Sequence, residues 1–362
     1  MTSPRRTPGR STRTQRQPAS PQALEELLHE LNIQPTGKVT YKLVSKWAAK
    51  HVWRVDTNGE PWAFVRYLLG PAELYPDRWR HLRLARLINE EAHVGPRVLG
   101  LTPESEALNG RAVLVEAALK PIHREELEAR AEEAITLMGR LHTSIPLHEE
   151  LSVDLNETDE EGLNPLAHLW RETRERWFEA VVEQWLASGI SEISDATMVV
   201  SEILGRLDTV RADITSGSIV VPTHGDPNHG NFMVNRQGAL RMIDFEGLSL
   251  NNPVADLGVF LTWYVDRDRH RTLLESYPLG DPEATLERMC VWVPLRYLNI
   301  AAHWAARLTH AKTESAWEFA ADSVDEWLRG ACELTFDGWV PRALDKLLRR
   351  LRLSLHERRP QE

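Results

Sequence analysis

Between Thr223 and Gly247 the chain crowds His224, Asp226, Asn231, Asp244 and Glu246 into one short span. Asp226, Asn231 and Asp244 offer hard oxygen atoms. Magnesium takes such atoms, and one or two protein groups suffice when phosphates and water complete its shell. A carboxylate on a rigid loop can also orient a hydroxyl group and accept its proton. Asp226, five residues ahead of Asn231, suits that task, and Asn231 with Asp244 suits the metal. Together they read as a centre for phosphoryl transfer, which needs in-line placement and charge neutralisation more than covalent help.

Something must hold these groups to one space. The apolar runs Phe232-Met233-Val234 and Leu240 through Ile243 flank the turn-like Asn235-Arg236-Gln237-Gly238. This spacing predicts a β-hairpin. Opposed ends of paired strands lie close together, so Asn231 at one strand's entry would face Asp244 at its partner's exit, with Asp226 on the loop before.

Upstream, Leu24, Leu27, Leu28 and Leu31 mark a short amphipathic helix. Segments 39–44, 51–56, 61–69, 97–101 and 111–119 read as strands, Asn58-Gly59 as a tight turn, and 76–93 as a helix ended by Gly95-Pro96. Lys120-Pro121 is expected to break the last strand. Beyond 120 the periodicity turns helical: 124–142 as one helix, 164–188 as another, then 196–213, 252–266, 284–309 and 313–334. This is an α+β architecture: a small antiparallel β lobe with one helix, and a large, mainly helical lobe carrying one acidic hairpin. Kinases of the protein-kinase-like type are built this way. The predicted divisions are a disordered basic tail (1–20), an N-lobe (21–114), a hinge (115–119) and a helical C-lobe (120–355).

The 362 residues, 42% hydrophobic and 27% charged, are those of a globular protein with a sizeable core. No apolar run reaches a membrane span. The first twenty residues carry Arg, Pro, Ser and Thr without an apolar segment, and so read as a solvated tail rather than a secretory signal. The net charge is −10 although the tail holds five arginines and no acid. An acidic body argues against nucleic acid as a partner. Cys290 and Cys332 are too few for a disulfide framework; both are read as small core residues, and a cytoplasmic location fits. The basic stretch 343–359 is expected to dock on the large lobe rather than on a membrane. Oligomeric state is left open.

His224-Gly225-Asp226, four residues, Asn231, and then Ile243-Asp244-Phe245-Glu246 resemble the signature of the aminoglycoside phosphotransferase and choline kinase family, H-G-D-x-x-x-x-N with a later I-D-F/W-E. Asn252-Pro253-Val254-Ala255-Asp256-Leu257 is similar to the family's N-x-P-x-x-D-L segment, one residue shorter, and Met138 to His142 to its L-G-x-L-H helix end. The resemblance implies ATP and Mg2+ as cofactors and transfer to a hydroxyl of a small molecule. It implies Asp226 as catalytic base or hydroxyl-orienting group, Asn231 and Asp244 as magnesium ligands, His224 as a brace of the catalytic loop and Asp256 as a structural acid holding the metal loop. Arg66 falls where the family has a cation facing the phosphates, Ser45 and Lys46 on the phosphate-covering loop, and the backbone of Val115 to Ala117 along the adenine. The acceptor pocket would come from the helical insert 145–215 and the last helices.

Two departures accompany this. The loop Ser45-Lys46-Trp47-Ala48-Ala49-Lys50 has no glycine, so Lys46 or Lys50 is expected to supply charge in place of closely approaching amides. No glutamate of the 76–93 helix falls in register to pair with Arg66; Arg80 or His81 stands there, with Glu73 and Asp77 as substitutes. Glu246 suits a metal-binding or a supporting role equally. The tryptophans read mostly as core, one or two of them with Tyr264 or Tyr297 lining a pocket for a cation. Two other functions stay open: a pseudokinase acting through partners, and a kinase acting on a peptide Ser or Thr.

Overall fold

A computed structural model of the protein describes residues 18–46, 50–152, 165–187, 189, 193–214 and 219–335. The tail through residue 17, Trp47 to Ala49, the Lys46 side chain and the 343–359 stretch lie outside the described residues. The chain forms two compact units, residues 1–150 with 224–248 and residues 151–223 with 249–362.

The first unit opens with α1 (Pro21–Glu30), capped by the Ser20 hydroxyl, which accepts from the Ala23 amide at 3.1 Å. A five-stranded antiparallel sheet follows: β1 (Val39–Lys46), β2 (Lys50–Thr57), β3 (Glu60–Leu68), β4 (Val98–Ser105) and β5 (Arg111–Ala117), in the order β1-β2-β3-β5-β4. The β2–β3 turn forms as predicted: Asn58 and Gly59 have φ of 53° and 86°, the left-handed pair such a turn requires. Strand alternation sorts the side chains onto two faces. Trp53, Val55, Val65, Tyr67, Val113 and Val115 pack against Leu24, Leu27 and Leu28 of α1. Leu68, Ala112 and Leu114 pack against Leu82 of α2 (Pro76–Glu90). Helix α2 stops short of the predicted end, and His93 beyond it takes a left-handed φ of 57°.

Lys120-Pro121 does not end the strand pattern. It forms β6, which pairs with β8 (Phe232–Val234) of the predicted hairpin, and β9 (Leu240–Met242) completes a three-stranded sheet. At an edge a proline's missing amide hydrogen is harmless. The expected single helix over 124–142 is two, α3 (Arg124–Ala129) and α4 (Ala131–His142). They break at Arg130, whose φ of −106° and ψ of 24° leave the helical region. The break lets the Arg130 guanidinium reach the Gly238 carbonyl at 2.7 Å while also meeting Glu133. Glu133 in turn accepts the Leu240 amide at 2.8 Å. Helix α5 (Ile145–Ser152) carries the boundary between the units.

The second unit is helical apart from β7 (Val221–Thr223) and β10 (Ser249–Asn251), which pair antiparallel. The expected helix over 164–188 is interrupted: α6 (Pro165–Glu175), a π-helical turn at Arg176–Val181 and α7 (Val182–Ala187). The extra residue in the π turn re-aims the helix face. Trp177 and Trp185 then donate to the carbonyls of Leu298 and Ala305 at 2.7 and 2.8 Å, and Arg176 donates to Asn299 at 3.0 Å. Helices α8 (Ile193–Ile214), α9 (Val254–Tyr264), α10 (His270–Glu275), α11 (Pro282–Leu308) and α12 (Glu314–Thr335) complete the unit. Cys332 is buried on α12, but Cys290 is exposed on α11, contrary to the core position expected of it. Among the described residues no helix is long and apolar enough to cross a membrane.

Candidate active site

The hairpin positions the site within the first unit. Phe232 pairs with Met242, and the Ile243 amide donates to the Asn231 carbonyl at 2.9 Å, so Asn231 and Asp244 stand at adjoining strand ends. Asn231 is buried; Asp226 and Asp244 are exposed. The Asn231 Nδ2 donates to the Asp226 carbonyl at 2.8 Å and to its Oδ2 at 3.1 Å. That turns the Asn231 amide oxygen the other way, where a hard cation could use it. Asn228 Nδ2 donates to the same Asp226 oxygen at 2.7 Å, so the Asp226 side chain is fixed by two amides. Asp244 adopts a left-handed φ of 64°, uncommon for a residue with a side chain and found where a loop must present one sharply.

His224 ties the two loops together. It is fully buried, and its Nε2 lies 2.8 Å from the Ile243 carbonyl while its Nδ1 lies 3.3 Å from the Asp226 amide. A carbonyl only accepts and an amide only donates, so Nε2 carries the hydrogen and Nδ1 does not. The ring lies against Phe245, tilted at 54° with centroids 4.7 Å apart. Gly225 and Gly247 meet backbone to backbone: a Cβ on Gly225 would lie 2.8 Å from the Gly247 carbonyl oxygen, and Gly225 itself has φ of 82°.

Arg66, on β3, contacts Glu116 of β5 at 3.1 Å, a charge contact rather than an aligned hydrogen bond. The expected substitutes, Glu73 and Asp77, are not its partners. Arg66 is in register with Leu114, so Glu116, two residues along, is the diagonal neighbour on the same sheet face. Burial pushes the Glu116 carboxyl above its usual range, and Arg66 draws it back. The sequence carries a signal for this pair, a lone acid in the apolar run Ala112 to Leu119. Lys50, at the start of β2, pairs with Glu246. That hydrogen bond holds the Glu246 carboxyl below its usual range against partial burial, with His81 of α2 and Arg66 adding to the effect. Lys50, His81 and Arg66 thus converge near the residue two beyond Asp244.

Other expected residues are placed as follows. Ser45 lies in β1 opposite Val52. Val115 is fully buried in the face against α1, with Val65 and Gly100 as its neighbours on either side. Its side chain is therefore core. The Ala117 amide donates to the Arg97 carbonyl at 2.8 Å, and Ala118 to Trp62 at 2.9 Å, so neither amide is spare. Asp256 belongs to the second unit, fully buried on the first turn of α9 and close to Tyr277. The unit also brings Trp263, Tyr297 and Trp327 together. The Trp263 indole donates to the Tyr297 hydroxyl at 2.6 Å, and both rings contact Trp327.

Among the described residues no three His, Cys, Asp or Glu side chains are gathered as a metal cluster. The donor set here, the Asn231 amide and the Asp244 carboxylate, fits magnesium, which needs few protein oxygens.

A model of the phosphotransferase enzyme family matches residues 40–292, more than half of the chain. Solved structures share the fold. A spectinomycin phosphotransferase, APH(9)-Ia, in complex with ADP and spectinomycin, superposes with a TM-score of 0.57 at 12% identity, covering 93% of this chain and 99% of that one. The GDP and kanamycin complex of APH(2")-IIia gives 0.54 at 14% identity, with 87% and 99% covered. An ethanolamine kinase from Plasmodium vivax gives 0.50 at 11% identity, with 81% and 83% covered. The fold is therefore the α+β, protein-kinase-like one, and the chain belongs to the phosphotransferase enzyme family, as an enzyme of the kinase type.

Proposed function

We propose that the protein transfers the γ-phosphoryl group of ATP, with magnesium, to a hydroxyl of a small molecule such as an aminoglycoside, an amino alcohol or a sugar. The observation carrying this reading is the Asp226 carboxylate, exposed yet fixed by Asn228 and Asn231 on a loop that His224 ties to the strand end before Asp244. An exposed carboxylate held in one orientation suits a proton acceptor.

In this reading Asp226 orients the acceptor hydroxyl and takes its proton as the oxygen attacks the γ-phosphorus. The bond from that phosphorus to the β–γ bridging oxygen breaks, and ADP leaves. Arg66 and Lys50 neutralise phosphate oxygens, Lys50 exchanging Glu246 for phosphate. Magnesium, held by Asn231 and Asp244, would offset charge on the transferred group. Residues 21–114 serve as the nucleotide lobe, 115–119 as the hinge and 120–355 as the acceptor lobe. The carboxylate that Glu116 offers Arg66 weighs against a binding-only protein, because the cation keeps a partner despite the lack of a helix acid.

A panel of aminoglycosides, amino alcohols, sugars and peptides, incubated with ATP and magnesium, is assayed for ADP release and for a phosphorylated product. The expected result is transfer to a small-molecule alcohol, with Asp226→Ala lowering turnover about 10²–10⁴-fold while ATP still binds. Near-normal turnover in Asp226→Ala removes that residue from its role, and absence of ATP binding by the native protein removes the reading as a whole.

A further inference from the structure

We infer that Glu116 is the positioning residue for the phosphate-side cation, doing from the sheet what a helix acid would otherwise do; the inference rests on the proposed kinase reading. Four observations carry it. Helix α2 turns an apolar face to the sheet: Leu82 packs against Leu68, Ala112 and Leu114, with Trp79 and Ala85 beside it. Its arginines look elsewhere, Arg80 donating to the Glu150 carbonyl at 2.6 Å and Arg83 pairing with the Glu150 carboxylate. Of its acids, Glu90 is taken by Arg86 at 2.8 Å, and the carboxylate that meets Arg66 comes from β5 instead. This is Glu116: its side chain is only 6% exposed, and it lies 3.1 Å from the Arg66 guanidinium, itself one-third exposed.

Geometry gives the pair a direction. Glu116 is at the buried end and Arg66 at the open end, where Arg66 also feels Glu246. An arginine anchored behind by a buried carboxylate loses little further freedom when an anion arrives in front. Glu116 need not touch the ligand to matter. Because both residues stand on adjacent strands of one sheet, the cation's position is set by strand register and does not depend on where α2 stands.

The test is nucleotide binding by calorimetry with ATP, ADP and adenosine as probes. In Glu116→Gln, ATP and ADP should each bind about tenfold more weakly, the size of one charged contact, while adenosine binds as to the native protein. A merely structural role would weaken all three alike. Should Glu116→Gln fail to fold, Arg66→Met/Glu116→Leu removes both charges together, a replacement that buried pairs tolerate. That double variant should bind ATP no worse than Arg66→Met alone, since Glu116 acts only through Arg66. Unchanged ATP affinity in Glu116→Gln, or weakened adenosine binding in either variant, overturns the inference while leaving the kinase reading intact. A native protein that binds no ATP overturns both.

Discussion

The Nε2 of His224 stands 2.8 Å from the carbonyl oxygen of Ile243, the residue directly ahead of Asp244, and its Nδ1 stands 3.3 Å from the amide of Asp226. One buried ring therefore spaces the two acids. Replacing it should disturb both. His224→Ala leaves a half-buried carbonyl without this donor, a loss of about 1 kcal/mol or more. Denaturant titration should show that loss, and turnover should fall further than nucleotide affinity. Unaltered stability and turnover would show that the ring spaces nothing.

Gly225 and Gly247 give a second, steric handle on the same loops. Gly225→Ala adds a methyl 2.8 Å from the Gly247 carbonyl oxygen, on a backbone already at φ of 82°. Left-handed backbone alone costs a residue with a side chain about 1–2 kcal/mol. The variant should be less stable than native by at least that amount and should lose most of its turnover. Gly59→Ala, also at positive φ but with nothing within 4 Å, should show the backbone cost without the catalytic loss. Equal turnover in the two variants would count against a close loop contact.

Thiol chemistry checks the helical unit independently. Burial pushes the Cys332 thiol up to about 12, with Glu202 and Glu333 raising it and Arg329 opposing. The thiolate is the nucleophile, so Cys332 should stay inert towards a thiol reagent at neutral pH while exposed Cys290 reacts. One fast equivalent should appear in the native protein and a second on unfolding. Two fast equivalents would place Cys332 outside the core.

Much of this was legible in the chain because local rules agree with one another. Asn58-Gly59 names its own turn, since few residue pairs accept two positive φ values. The hairpin and the convergence of Asp226 with Asn231 follow from apolar runs of the right length around a turn. What was hidden depends on tertiary partners. Nothing in Arg124 to His142 spells a helix break, because Arg130 leaves the helix to meet a carbonyl more than a hundred residues away. The π turn at Arg176–Val181 likewise answers to α11 and not to its own sequence. The resemblance points to a helix acid as the partner of Arg66. Counting positions along β5 would have found Glu116, but only once the strand register was known.

The clamp that Arg130 and Glu133 place on Gly238 and Leu240 lies at the far end of the hairpin from Asn231 and Asp244. A stiff two-stranded ribbon works as a lever: slack at one tip becomes displacement at the other. Phosphoryl transfer tolerates little of it, since an error of about 1 Å in placing reacting groups can cost about a hundredfold in rate. Harmful substitutions in this enzyme should therefore gather not only around the acids but also at this remote fastening, where no reacting atom is ever touched.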